Sequence, residues 1–229
     1  MSPVEVLLVV SLGTLVGLDL ASVPQAMFSR PIVAGLLGGL VVGQPLPGLA
    51  VGAVLELFAM DTLPVGASRN PDWGPGTVAV GAIAGAHRDG MLASGLLGLA
   101  LVAVAAAWVG GWASHVVRRA NVHSVEANRA ALDAGDVRAI LRVQWSGLLR
   151  DGMRGFALTA LALALGDLVS TFFARDWGGP QALAQAALAA TSLGVALHAG
   201  SRLTGGGKEG FWFLGGLGAG TALVAMWLR

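Results

Sequence analysis

Glu56 is a carboxylate inside an apolar run, GLAVGAVLELFAM, with about two turns of apolar residues before it and about one after it. An ionisable group at such depth in a membrane helix costs about 2.5–3.5 kcal/mol on insertion scales, so it needs a partner or a polar cavity. Two readings follow: a structural hydrogen bond to a neighbouring helix, or a contact with a substrate or ion. Just downstream, GASRNPDWGPG (66–76) gathers Arg69, Asn70, Asp72 and Trp73 where two prolines prevent regular helix. Carboxylates and amides beside an indole face suit a sugar, whose hydroxyls hydrogen-bond in plane while its C–H face stacks on the ring. The same composition also describes an interfacial loop with a belt tryptophan. Arg30 directly precedes Pro31, a residue that starts helices well. Arg30 is thus an interface anchor or a member of the same site, and Asp19, closing the first apolar segment, poses the same choice.

Enzyme chemistry finds little purchase. The histidines at 87, 115, 123 and 198 lack metal-ligand spacing, and there is no nucleophile elbow, P-loop or H-E-x-x-H. Cysteine is absent, which excludes disulfides, thiolate metal sites and redox motifs. No cofactor is expected.

The elements that must position these residues are membrane helices. Of 229 residues, 55% are apolar and only 12% charged, with a mean hydropathy of +0.73. Soluble domains carry about 25% charged residues, so lipid must cover this surface. Residues 4–20 follow MSPVE, which has no basic n-region, and read as a retained membrane helix. Further long apolar segments lie near 91–117, 155–174, 181–200 and 211–228. Between the first two, 31–43, 49–63 and 75–87 are too short to cross alone, and 31–43 is bracketed by Pro31 and the breaker QPLPG at 44–48. They read as broken or re-entrant helices, whose exposed backbone must be hidden in protein or line a cavity. The bland alternative is three ordinary tilted helices. Gly35, Gly39 and Gly43, like Gly48/Gly52 and Gly81/Gly85, recur at i, i+4 and would let backbones approach closely.

The expectation is an all-α integral membrane protein, a polytopic bundle with broken helices in its N-terminal half. Three regions follow: 1–117, carrying the candidate site; 118–154, a polar amphipathic helical loop; and 155–229, the C-terminal membrane helices. The polar region holds seven of the 14 basic residues, namely Arg118, Arg119, Arg129, Arg138, Arg142, Arg150 and Arg154. That excess places it in the cytoplasm. By parity 175–180 is outside, 201–210 inside and the C-terminus outside. Within it, Gly135–Asp136 reads as a helix stop followed by an N-cap, and Leu141, Trp145, Leu148 and Leu149 would share one apolar face. The arginines serve topology and headgroup contact, or alternatively dock a soluble partner. Nothing points to nucleic acid.

The order FSRPIVAGLLGGLVVGQPLPGLAVGAVLELFAM, then PVGASRNPD, then RRANVHSVEANRAALDAGDVRAI and GFWFLGGLGAG, resembles the IIC subunit of mannose-type (mannose/fructose/sorbose) sugar phosphotransferase systems. The most specific likeness is L-E-L followed at this separation by P-D. The resemblance implies a sugar permease of the bacterial inner membrane, acting on a hexose or amino sugar. It implies a IID membrane partner in a trimer of IIC–IID pairs, and cytoplasmic IIA/IIB proteins that carry the phosphoryl group. IIB then phosphorylates the arriving sugar. Glu56 falls on the family's helix glutamate, Asp72 on its loop aspartate, and Arg30–Pro31 on its R-P pair. The family's glutamine, usually three before the arginine, is Met27 here, with Gln25 two residues earlier. The implied substrate contacts are therefore Glu56, Asp72, Asn70, Arg30, Gln25 and Trp73, with Asp72 the implied partner of Glu56. The competing class is a non-transporting IIC-like scaffold or regulatory component of a partial system.

Overall fold

A computed structural model of the chain describes residues 1–22, 26–60, 70–87 and 91–204, with side chains described through residue 200. Gln25, Arg69 and the expected segment 211–228 lie outside the described residues. Within them the structure is helical, without strands.

Helix α1 (Pro3–Asp19) opens with a capping box: the Ser2 Oγ accepts the Glu5 N–H at 3.2 Å, and the Ser2 N–H donates to Glu5 Oε2 at 2.6 Å. Helices α2 (Pro31–Val41), α3 (Pro45–Ala59) and α4 (Gly74–Ala86) follow. With 11, 15 and 13 residues they are about 16, 22 and 20 Å long, short of a hydrocarbon core of about 30 Å. The breaker expected at 44–48 is instead the first turn of α3, because Pro45 occupies the position where a missing N–H costs nothing. Helix α5 (Ala93–Ala127), the one-turn α6 (Arg129–Asp133), α7 (Val137–Asp176) and α8 (Gln181–Thr204) complete the described chain. By length and composition, α5, α7 and residues 181–200 of α8 are able to cross a membrane.

Helices α2 and α3 form a tight antiparallel hairpin. Its turn needs Gly43 at φ +75°, a conformation that costs other L-residues about 1–2 kcal/mol. The glycine spacing at Gly35/Gly39, Gly48/Gly52 and Gly81/Gly85 does what was expected of it: a Cβ on Gly35 would lie 2.5 Å from the Gly48 carbonyl oxygen. Gly43, expected on the same face, instead lies past the end of α2 with nothing within 4 Å of an added Cβ. Helix α4 is the hub of the bundle, packed by α1, α2, α3, α5 and α7, and every residue from Gly74 to Gly85 is buried. Only a helix of Gly, Ala, Val, Ile, Thr and Pro is slim enough to take five neighbours. Around it, Leu55, Ala59, Trp73, Val80, Ile83 and Leu99 belong to one apolar cluster, and Val9, Val16, Ala34 and Val78 to another.

Helices α5 and α7 run antiparallel, with Gly98 against Val169 and Phe173 at one end and Gly147 beside Asn121 at the other. Much of the polar 118–154 region is the continuation of these two helices. The reversal between them uses the signals read at Gly135 and Asp136: Gly135 is at φ +73°, and Asp136 Oδ1 accepts the Arg138 N–H at 2.9 Å. Trp145 and Leu149 stand exposed on α7, 67% and 66% accessible.

Candidate functional site

The open end of the α2–α3 hairpin brings together two residues that the sequence analysis had singled out separately. Arg30 is the N-cap of α2 and Glu56 lies in the last turn of α3, on the opposite limb. Arg30 donates to Glu56 Oε1 through Nε at 2.7 Å and through Nη2, while the Ile32 N–H donates to Oε2 at 3.1 Å. The carboxylate thus caps the start of α2, where exposed N–H groups and the helix dipole favour a negative charge. Side chains of the pair are 36% and 20% exposed. The partner implied for Glu56 was Asp72; the structure gives it Arg30 instead, a cation, which removes the like-charge repulsion that two carboxylates would carry.

Asp72 lies in the irregular 70–73 segment leading into α4, fully buried and paired with an arginine of its own. Arg154, on α7, donates to Asp72 Oδ2 through Nη1, to Asp151 Oδ1 through Nε at 2.8 Å, and to the Gly17 carbonyl through Nη2 at 2.8 Å. Asp151 is buttressed in turn by the Ser22 hydroxyl, which donates to Oδ2 at 2.5 Å. Arg154 had been read among the topology arginines; its burial (side chain 3% exposed) sets it apart from the solvated ones. Its removal would leave buried charge unpaired, a loss of about 3–5 kcal/mol for pairs of this kind.

The 70–73 segment fits because α5 offers it glycines. The Asp72 N–H donates to the Ala107 carbonyl at 2.8 Å, a Cβ on Gly110 would lie 2.9 Å from Asp72 Cβ, and Gly111 abuts the Asn70 carbonyl. Asn70 is half-buried, whereas Trp73 is buried in the apolar cluster that contains Leu55 and Ala59, one residue before and three after Glu56 on α3. At the other end of the segment, a Cβ on Gly74 would lie 3.2 Å from Ser29 Cα, so the approach to Arg30 packs directly on the start of α4.

Asp19 resolves its ambiguity as an organiser of that approach. It is buried, and its two oxygens accept the Ala26 N–H at 2.8 Å and the Ser29 N–H at 3.0 Å. These bonds pin a turn in which Met27 adopts φ +64°, the one described non-glycine residue in the left-handed region. Sequence reasoning missed Arg154, Asp151 and this role of Asp19. The available signal was Asp151 three residues before Arg154, at the edge of an apolar stretch. Among the described residues no cluster of His, Asp and Glu is arranged to hold a metal ion.

A helical membrane protein with a hairpin of short apolar helices, a buried hub helix and paired charges at the hairpin mouth is the class that fold and site define together. The chain belongs to the family described as "PTS system sorbose-specific iic component", whose profile matches residues 3–197. It is 31% identical over 143 residues to the "PTS system mannose-specific EIIC component" of Escherichia coli (strain K12), covering 62% of this chain and 51% of the relative. A second relative, the "PTS system sorbose-specific EIIC component" of Lacticaseibacillus casei, is 30% identical over 71 residues, covering 31% of this chain and 25% of the relative. The matched region spans about half the length of the mannose-specific relative.

Two solved structures share the fold. One, titled "Structure of membrane protein", superposes with a TM-score of 0.73 at 20% identity, covering 100% of this chain and 96% of that one. The other is the mannose transporter ManYZ in complex with microcin E492, with a TM-score of 0.60 at 21% identity and the same coverage.

Proposed function

We propose that this chain is the sugar-translocating membrane subunit of a mannose-type phosphotransferase system in the bacterial cytoplasmic membrane. It moves a hexose or amino sugar together with a IID subunit, as a trimer of such pairs. Cytoplasmic IIA/IIB proteins supply the phosphoryl group, and IIB delivers it to the sugar. The observation that carries the reading is the partly exposed Arg30–Glu56 pair at the mouth of a hairpin of short apolar helices, in a chain of this family. A guanidinium and a carboxylate fixed against each other present donors and acceptors at a set spacing, which is what a pair of adjacent sugar hydroxyls requires.

Within the proposed site the roles divide by burial. Arg30, Glu56 and the half-buried Asn70 are the direct contacts, and Gln25, outside the described residues, is a further proposed polar contact. Trp73 and Asp72 are buried and shape the wall behind them. The test is calorimetric titration of hexoses and amino sugars into the purified complex with its IID partner, followed by uptake into vesicles loaded with phosphorylated IIB. A dissociation constant in the millimolar range or tighter, lost in Glu56→Gln, supports the reading. A complex that assembles yet binds no sugar supports a non-transporting scaffold instead.

A further inference from the structure

We infer that Arg154 is a positioning residue for the proposed sugar site: from α7 it anchors the 70–73 segment through Asp72 and so sets where that segment sits beside the Arg30–Glu56 pair. The inference rests on the sugar-site reading and goes beyond it by assigning a residue far from the hairpin mouth.

Three features carry it. First, the guanidinium is used in three directions at once, towards Asp72, Asp151 and the Gly17 carbonyl. Such a fork fixes orientation in a way that an ammonium, a point charge on a flexible stem, does not. Second, the anchor is itself braced: Ser22 holds Asp151, and the Ala107 carbonyl holds the Asp72 N–H. The 70–73 segment is thereby tied to α7 on one side and α5 on the other. Third, the segment touches both halves of the proposed site. Trp73 packs in the cluster with Leu55 and Ala59, on either side of Glu56, and Gly74 abuts Ser29, the residue before Arg30. A shift of Asp72 therefore reaches Arg30 and Glu56 through packed atoms, without Arg154 touching the sugar.

The absence of cysteine makes a direct test available. A unique thiol introduced as Asn70→Cys reports the seating of the segment through its rate of reaction with a small maleimide, in the complex with the IID partner. With Arg154 intact the rate sets the reference for the seated segment. Arg154→Gln and Arg154→Lys should each raise it at least tenfold, and Asp72→Asn/Arg154→Gln, which no longer leaves the Asp72 carboxylate without its counter-ion, should bring it part of the way back.

Sugar titration of the same substitutions made with Asn70 in place is the second readout. Arg154→Gln and Arg154→Lys should weaken binding at least tenfold in complexes that still assemble, and the double variant should recover part of it. Unchanged labelling in both single variants overturns the anchoring role, and unchanged sugar affinity in assembled single variants overturns its bearing on the site. If the unsubstituted complex binds no sugar, the transport reading fails, and the positioning of a sugar site fails with it; labelling then judges the anchor alone.

Discussion

Arg30 and Glu56, 26 residues apart in sequence, close the mouth of the α2–α3 hairpin with two guanidinium bonds to one carboxylate oxygen and a backbone N–H to the other. The pair therefore does two things together: it finishes a helix N-terminus and presents a fixed donor–acceptor set where the hairpin opens. Removing either member should be felt in ligand affinity before it is felt in assembly.

Glu56→Gln keeps the shape and the ability to accept the Ile32 N–H but removes the charge. Hydrogen bonds to charged groups contribute about 1.5–3 kcal/mol, so sugar affinity should fall between about tenfold and a hundredfold. Titration calorimetry on the complex measures this, and Arg30→Gln should fall in the same range. An affinity within threefold of the parent in both variants would remove this pair from the site.

Gly35→Ala should loosen the hairpin. Its new Cβ would stand 2.5 Å from the Gly48 carbonyl oxygen, a backbone atom that has no rotamer through which to retreat. Overpacking of this kind costs about 1–3 kcal/mol. Gly194→Ala, where nothing lies within 4 Å of the added methyl, is the matched control and should not destabilise. Thermal unfolding in detergent, followed by tryptophan fluorescence, separates the two.

Asp136→Ala removes the side-chain acceptor of the Arg138 N–H at the start of α7. Loss of such a cap costs about 0.5–2 kcal/mol. Because α7 is 40 residues long, the effect should be confined to fraying of its first turns. Hydrogen exchange should accelerate near residues 137–141 and remain unchanged near 155–170; acceleration throughout α7 would contradict the prediction.

Orientation is testable through introduced thiols. The arginine excess of 118–154 predicts that the α5–α7 reversal lies in the cytoplasm. Arg129→Cys, on an exposed side chain, should react with a membrane-impermeant maleimide in inverted vesicles and not in intact cells. Gly178→Cys, beyond the far end of α7, should show the opposite pattern. Matching labelling from one side at both positions would refute the assigned topology.

The helices were legible because their signals are local. Pro31 at a first turn, Gly135 followed by Asp136, and the i, i+4 glycines each act within one or two turns, and each does in the structure what its chemistry suggests. Pro45 misled for the same reason: proline marks a break and a start equally well, and only the helix that follows decides which. The pairing of charges was not legible. Glu56 carried Asp72 as its implied partner, and packing gave it the cation Arg30 instead. Arg154 was hidden by its company, since six other arginines in the same stretch share its type and only burial, with Asp72 at its tip 82 residues away, distinguishes it.

That separation of 82 residues has a consequence for how the chain is made. Synthesis proceeds at about 5–20 residues per second, so Asp72 is made roughly 4–16 s before the guanidinium that neutralises it. Until α7 arrives, the N-terminal half carries a carboxylate with no counter-ion in a place that will later exclude water. The nascent α1–α4 unit is therefore an incomplete object, and final seating of the 70–73 segment must await the second half of the polypeptide. Ribosome-bound chains halted before residue 154 should hold that segment open to solvent, and release of a chain that includes α7 should close it.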